Sequence, residues 1–195
     1  MCQPKLFMFL LGSKAPGRHV EQHDYFFAIG NSTKELIPEI KAFWPEPEAG
    51  DKVHIDAWRE VKSVEGYLVK VAEKTEKLAG NTHEENLKHK KLFFINLGGY
   101  QAGKFEEQHF AILTVKSDQA SAYKEAKETL FFKNNWFGGA RSHIDDKYGV
   151  DVDDLYQIED ILTPDQRSRY AIELIPMQNL PEDEIHLGYF KLDNF

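Results

Sequence analysis

Apolar residues near the start of the chain follow the patterns of strands. Residues 6–11 form a continuous apolar run, which indicates a strand buried on both faces, and residues 21–29 predict a second strand whose segment 25–29 is buried. Residues 52–61 alternate apolar and polar positions, which is typical of a strand with one face in water. Residues 67–72 predict a further strand after a turn at 65–66.

A helix is predicted between the second and third of these strands. Ser32 or Thr33 can cap its start, and the prolines at 45 and 47 end it. One helical face is apolar and is formed by Leu36, Ile37, Ile40 and Phe43. The first part of the chain is therefore predicted to be a ββαββ unit.

The second half of the chain repeats the first. Residues 5–23 read KLFMFLLGSKAPGRHVEQH and residues 91–109 read KLFFINLGGYQAGKFEEQH, so nine of 19 positions are identical without a gap. The triplet His-Ile-Asp recurs at 54–56 and 143–145. Because internal repeats report duplicated structural units, we predict an α+β fold of two tandem ββαββ repeats in a pseudo-two-fold arrangement. The predicted parts are residues 1–75 as the first repeat, 76–90 as a charged and partly helical linker, and 91–195 as the second repeat with a C-terminal extension.

The second repeat is predicted to follow the same order until it diverges. The predicted elements are strands at 91–97, 107–115 and 142–146, a helix at about 118–131, an exposed acidic loop at 145–154, strands at 157–162 and 169–175, and an edge strand or docking segment at 185–192.

Histidines and carboxylates alternate on two of the predicted strands of the first repeat. Residues i and i+2 of a strand share a face, so Glu21 lies beside His23, and His54 beside Asp56. Their predicted equivalents in the second copy are Glu107, His109, His143 and Asp145. Two imidazoles with carboxylates could ligate zinc or ferrous iron, or act as an acid–base pair. They could equally form a network that only satisfies buried polar groups in each copy.

The two copies differ at polar positions in the loop before the second strand and in the first part of that strand. Arg18 becomes Lys104, whereas His19 becomes Phe105 and Asp24 becomes Phe110. A glycine-flanked loop with an arginine can hold a phosphate or carboxylate, although it lacks the ending of a P-loop. The predicted ligand site consists of Arg18, His19, Glu21, His23, His54 and Asp56, with Lys104 among the second-copy equivalents.

Composition narrows the classes of partner. The net charge of −8 opposes binding to phosphate backbones, so we expect no nucleic-acid partner. No stretch has the roughly 18 apolar residues of a membrane span. The only cysteine is Cys2, which rules out an intrachain disulfide and is typical of a reducing compartment. We therefore expect a soluble cytoplasmic protein.

The chain resembles a bacterial family, domain of unknown function 1543. The resemblance lies in KLFMFLLGSKAPGRHVEQHDYFFAIG, in a helix ending at Phe43-Trp44-Pro45, and in KVHIDAWREV followed by GYLVKV. It covers about residues 5–72 and, more loosely, 91–175. It implies a bacterial, soluble, cytosolic protein with one or two copies of the domain. It implies no activity, cofactor or catalytic residue.

These observations leave three functional hypotheses. The leading one is a cytosolic binding module for a small anionic molecule. The alternatives are a metal-dependent or acid–base enzyme that uses the histidine and carboxylate cluster, and a structural or interaction protein without a small-molecule site. The sequence assigns neither a cofactor nor an oligomeric state.

Overall fold

The computed structural model describes residues 3–44, 53–74, 90–99, 103–128 and 150–195, with residues 150 and 151 described by their backbone alone. The strands are β1 (Lys5–Ser13), β2 (Gln22–Gly30), β3 (His54–Glu60), β4 (Ser63–Val64), β5 (Tyr67–Glu73), β6 (Lys91–Gly99), β7 (Gln108–Lys116), β8 (Val150–Gln157), β9 (Tyr170–Pro176) and β10 (His186–Lys191). The helices are α1 (Ile37–Phe43), α2 (Gln119–Glu128), α3 (Ile158–Ile161) and α4 (Pro164–Arg169), with 3-10 turns at Thr33–Leu36 and Leu192–Asn194.

The fold is α+β, as predicted, and its strands form three antiparallel sheets. Contacts divide the chain into two compact units, Met1–Leu78 with Leu162–Phe195, and Ala79–Ile161. Within the described ranges, no helix is both long and apolar enough to cross a membrane.

The main sheet of the first unit has the strand order β10-β3-β1-β2. Alternate residues of β1, among them Phe9 and Leu11, enter a fully buried core with Ile40 of α1 and Ile55 of β3. Each such side chain contributes about 1.5–3 kcal/mol relative to exposure in water. The predicted apolar helical face therefore packs on one side of this sheet.

A second, smaller sheet with the order β4-β5-β9 completes the first unit, and β5 packs against β1. Glu65 and Gly66 form the turn between β4 and β5 with φ angles of 49° and 77°. Two successive positive φ angles are what a two-residue hairpin needs, and glycine adopts them without steric cost. The predicted turn is confirmed, but β5 lies in a separate sheet rather than as the last strand of a single ββαββ sheet.

The second unit contains a three-stranded sheet with the order β7-β6-β8. Ile95 and Leu97 of β6 are fully buried against Ala122 and Ala126 of α2, whose small side chains let the helix approach closely. Here β6 pairs with β7 and β8 as β1 pairs with β2 and β3. Even the register shift recurs, between Leu10 and Leu11 in one sheet and between Asn96 and Leu97 in the other. Among the described elements, β6, β7, α2 and β8 therefore follow one another in the same order as β1, β2, α1 and β3.

The structure differs from the sequence prediction in the later part of the chain. The strand predicted at 142–146 lies outside the described residues, as does nearly all of the linker predicted at 76–90. Strand β8 pairs with β6 on the side opposite β7. Residues 150–154, which the sequence predicts to be part of an exposed acidic loop, therefore lie in a strand. Residues 158–161 form a helix rather than the predicted strand. Aspartates have low strand propensity, which is why β8 reads as a loop.

The C-terminal strands pair with strands of the first unit. The strand predicted at 169–175 is present as β9, and it pairs with β5, while β10 pairs with β3. The sequence predicts that residues 91–195 form the second repeat with its extension. In the structure, residues from Leu162 onward belong to the first unit. The reason is that β3 and β5 offer open sheet edges, whose unpaired N–H and C=O groups β10 and β9 satisfy.

Candidate functional site

Four side chains of the first unit converge above one glycine of its central strand. Gly12 of β1 pairs on one side with His23 of β2 and on the other with His54 of β3. Cross-strand partners project on the same face of a sheet, so both imidazoles lie above Gly12. We call Glu21, His23, His54 and Asp56 the Gly12 cluster.

Asp56 of this cluster lies in a β-bulge. The register between β1 and β3 jumps from Leu10 opposite Ala57 to Leu11 opposite Ile55, which leaves Asp56 without a partner on β1. His54 and Asp56 are two residues apart, so they share the cluster face of β3, as the period of a strand predicts. The bulge bends β3 next to the cluster and shifts the pairing that follows it.

The distances within the Gly12 cluster are those of ion pairs. His54 Nε2 lies 3.0 Å from Glu21 Oε1 and 3.3 Å from Asp56 Oδ1. His23 Nε2 lies 3.2 Å from Asp56 Oδ2 and 3.9 Å from Glu21 Oε2. Each imidazole therefore faces both carboxylates through the same ring nitrogen.

Glycine is required at position 12 because the cluster occupies the space of a side chain. A Cβ atom there would lie 2.6 Å from both Asp56 Oδ2 and His54 Nε2. No other residue lets the strand pass so closely beneath these polar atoms.

Burial is graded across the cluster. The His54 side chain is only 4% exposed, whereas those of Asp56, Glu21 and His23 are 26%, 37% and 47% exposed. Asp56 Oδ2 is buried and accepts no hydrogen bond of good geometry from the described part of the chain. The cluster contains two carboxylates, which favours a cation as its ligand.

The second unit holds a similar cluster above Gly98. His109 Nε2 lies 3.3 Å from Asp153 Oδ2 and 3.8 Å from Glu107 Oε2, and one ligand atom of each residue lies within 4.8 Å of the others. A Cβ atom at Gly98 would collide with Asp153. We call Glu107, His109 and Asp153 the Gly98 cluster.

The Gly98 cluster contains only some of the residues that the sequence predicts for the second copy. Glu107 and His109 belong to the Gly98 cluster, but His143 and Asp145 lie outside the described residues. Asp153 occupies the bulged position that corresponds to Asp56, and Asp151 holds the backbone position of His54, opposite Gly98. Identity between the two copies does not reveal β8. The signal that marks this strand is the pattern Val-x-[Ile/Val]-Asp, which residues 53–56 and 150–153 share.

The basic residues of the predicted anion site are not drawn into the clusters. Arg18 and His19 lie exposed on the loop between β1 and β2, and Lys104 is exposed on the loop before β7. Within the described ranges, none of these side chains forms an ion pair with either cluster. The structure therefore separates the predicted site into a His and carboxylate cluster and a solvent-exposed basic loop.

A buried ion pair ties the C-terminal segment to β3. Arg59 Nη1 lies 3.9 Å from Asp183 Oδ2, and Asp183 Oδ1 accepts hydrogen bonds from the N–H groups of Lys62 and Ser63 at 3.0 Å. Burial raises the pKa of Asp183 and lowers that of Arg59. The residues that follow Asp183 lead into β10. Its Tyr189 contacts the ring of His54, and the sequence does not predict this neighbour.

Part of the chain matches a known family. Residues 18–71 match the family described as Domain of Unknown Function (DUF1543). This segment contains all four residues of the Gly12 cluster.

Among solved structures, the chain is similar to a protein named Il1583 from Idiomarina loihiensis, with 20% identity over 97% of each chain and a TM-score of 0.60. At this identity the likeness shows a shared fold alone. No curated protein matches the chain.

Proposed function

We propose that the Gly12 cluster binds a divalent transition metal ion such as zinc or ferrous iron. The observation that carries this proposal is that the Nε2 atom of each of two imidazoles lies within 3.9 Å of both carboxylates, although these side chains come from separate strand segments. His and carboxylate donors are the ligand types that zinc and ferrous iron accept. A bound cation would replace repulsion between Glu21 and Asp56 by attraction to a common centre.

The Gly98 cluster supports the same proposal for the second unit. It keeps the Glu-x-His pair and the bulged aspartate above a glycine, and it offers three ligand atoms. We therefore propose one ion in each unit, held by two different donor sets. We also propose that Ala79–Ile161 is a diverged second copy of the domain matched by residues 18–71, and that the protein is bacterial and cytoplasmic.

A bound metal ion would also change which small ligands the Gly12 cluster attracts. Without a cation, the two carboxylates of the Gly12 cluster repel an anion. A divalent ion would reverse the local charge and could accept a small carboxylate or phosphate as an additional ligand. The small anion is then a ligand of the metal, and Arg18 and His19 on the adjacent loop would add long-range attraction.

The test is a metal titration of the full chain after chelator treatment. Isothermal titration with Zn²⁺ should show two ions per chain in the unaltered protein. One ion should remain in His109→Ala, and one in the double variant Glu21→Gln/His23→Ala, because each change leaves only two donor side chains at one site. The side chains of His23 and His109 are about half exposed and that of Glu21 is 37% exposed, so these substitutions should leave the fold intact. His19→Ala, which removes an exposed imidazole outside both clusters, is the matched control and should bind two ions.

Two outcomes would contradict the proposal. Absence of saturable binding of zinc, iron or manganese at micromolar concentrations would remove it. A Glu21→Gln/His23→Ala protein that loses stability but binds as many ions as the unaltered chain would instead support a purely structural network of buried polar groups.

A further inference from the structure

We propose that Tyr189 of the C-terminal strand is a positioning residue that raises the affinity of the Gly12 cluster for its metal ion by fixing the ring of His54. This inference rests on the metal sites proposed above. It follows from the way β10 is built onto the edge of β3.

The backbone of β10 is shaped to present Tyr189. Its register with β3 runs from Leu187 opposite Ala57 directly to Phe190 opposite Ile55, so Gly188 and Tyr189 are bulged out of the ladder. Gly188 has a φ of 159°, and a Cβ atom there would lie 3.0 Å from the ring of Phe190. Position 188 therefore requires glycine, which allows the bulge that re-aims Tyr189.

The bulge places the Tyr189 ring on His54. The two ring centroids are 4.1 Å apart with an interplanar angle of 35°. Tyr189 is 64% exposed, whereas His54 is almost completely buried. The tyrosine thus covers one face of the imidazole, limits its rotation and keeps water from that face. Residues that fix the orientation of a metal-ligating histidine set its affinity for the ion.

A second ring stack holds β10 in place. The rings of Trp58 and His186 are stacked at 3.9 Å with an interplanar angle of 12°. This contact lies at the start of β10, before the bulge, and Phe190 and Lys191 pair with β3 after it. The strand is therefore held on both sides of the bulge, so the position of Tyr189 is well defined.

The experiment isolates the first site by working in the His109→Ala background. There, Tyr189→Ala should weaken Zn²⁺ binding by about tenfold, the scale seen when groups that orient metal ligands are removed. Tyr189→Phe keeps the ring and should bind within about threefold of the parent. Leu187→Ala, at a 76% exposed position of the same strand, is the matched control and should bind like the parent.

A second measurement does not depend on metal. In the metal-free protein, Tyr189→Ala should shift the NMR signals of the His54 ring and increase its side-chain mobility, whereas Leu187→Ala should not. Unchanged His54 signals in Tyr189→Ala, or unchanged zinc affinity, would overturn the positioning role. A His109→Ala protein that binds no zinc would refute the proposed function, and the His54 signals would still decide whether Tyr189 orients that ring.

Discussion

Gly12→Ala should displace the Gly12 cluster and abolish the first metal site. The added Cβ would lie 2.6 Å from both Asp56 Oδ2 and His54 Nε2, whereas ordinary contact begins at 3.4 Å, so each atom would have to move by about 0.8 Å. His54 cannot make that movement easily, because it is buried and covered by Tyr189. Overpacking of this kind costs about 1–3 kcal/mol of unfolding free energy.

The cost comes from the collision and not from the backbone. Gly12 lies near the end of β1 but is paired with a strand on both sides, and at such a position alanine is normally the better residue by about 0.5–1 kcal/mol. The control is Gly17→Ala, at a position with a φ of 78° and no atom within 4 Å of the added Cβ. This substitution should strain the loop by about 1–2 kcal/mol and leave zinc binding unchanged.

The assays are urea denaturation followed by tryptophan fluorescence, and zinc titration of each variant in the His109→Ala background. Gly12→Ala should lower both the unfolding midpoint and the zinc affinity, whereas Gly17→Ala should lower only the midpoint. A Gly12→Ala protein with unchanged stability, to within about 0.5 kcal/mol, and unchanged zinc affinity would refute the arrangement of the cluster above this glycine.

Two further predictions concern the fold. Gln166→Ala should lower the free energy of unfolding, measured by urea denaturation, by about 2–3 kcal/mol. The reason is that the buried Gln166 side chain accepts a hydrogen bond from the N–H of Ile29 and donates one to its C=O. The same change at the exposed Gln119 should lower the free energy of unfolding by less than about 0.5 kcal/mol, and equal losses would contradict this role of Gln166. Because burial raises the pKa of Asp183 above its usual 3.8, the folded state holds that proton more tightly than the unfolded state, so its contribution to stability is complete below pH 3.8 and is lost as the pH rises through the folded-state pKa. The unfolding free energy of the unaltered protein should therefore fall relative to that of Asp183→Asn over this interval, and a difference that stays constant or grows with pH would contradict the assignment.

The sequence predicts most of the first unit because its signals are local. Apolar runs and alternation mark β1, β2, β3 and β5, and one helical face marks α1. In the second unit the same rules identify β6, β7 and α2, but they fail at β8. Three aspartates in that strand lower its propensity, so only its pairing with β6 makes it a strand.

By itself the sequence determined which polar side chains share a strand face. The period of two places Glu21 beside His23, and the spacing of His54 and Asp56 is the same. Only the tertiary structure decided that both strands flank Gly12, that a bulge lies at Asp56, and that β10 closes over His54. Strand pairing and register depend on which sheet edges are open across long stretches of chain, and no local pattern of residues contains that information.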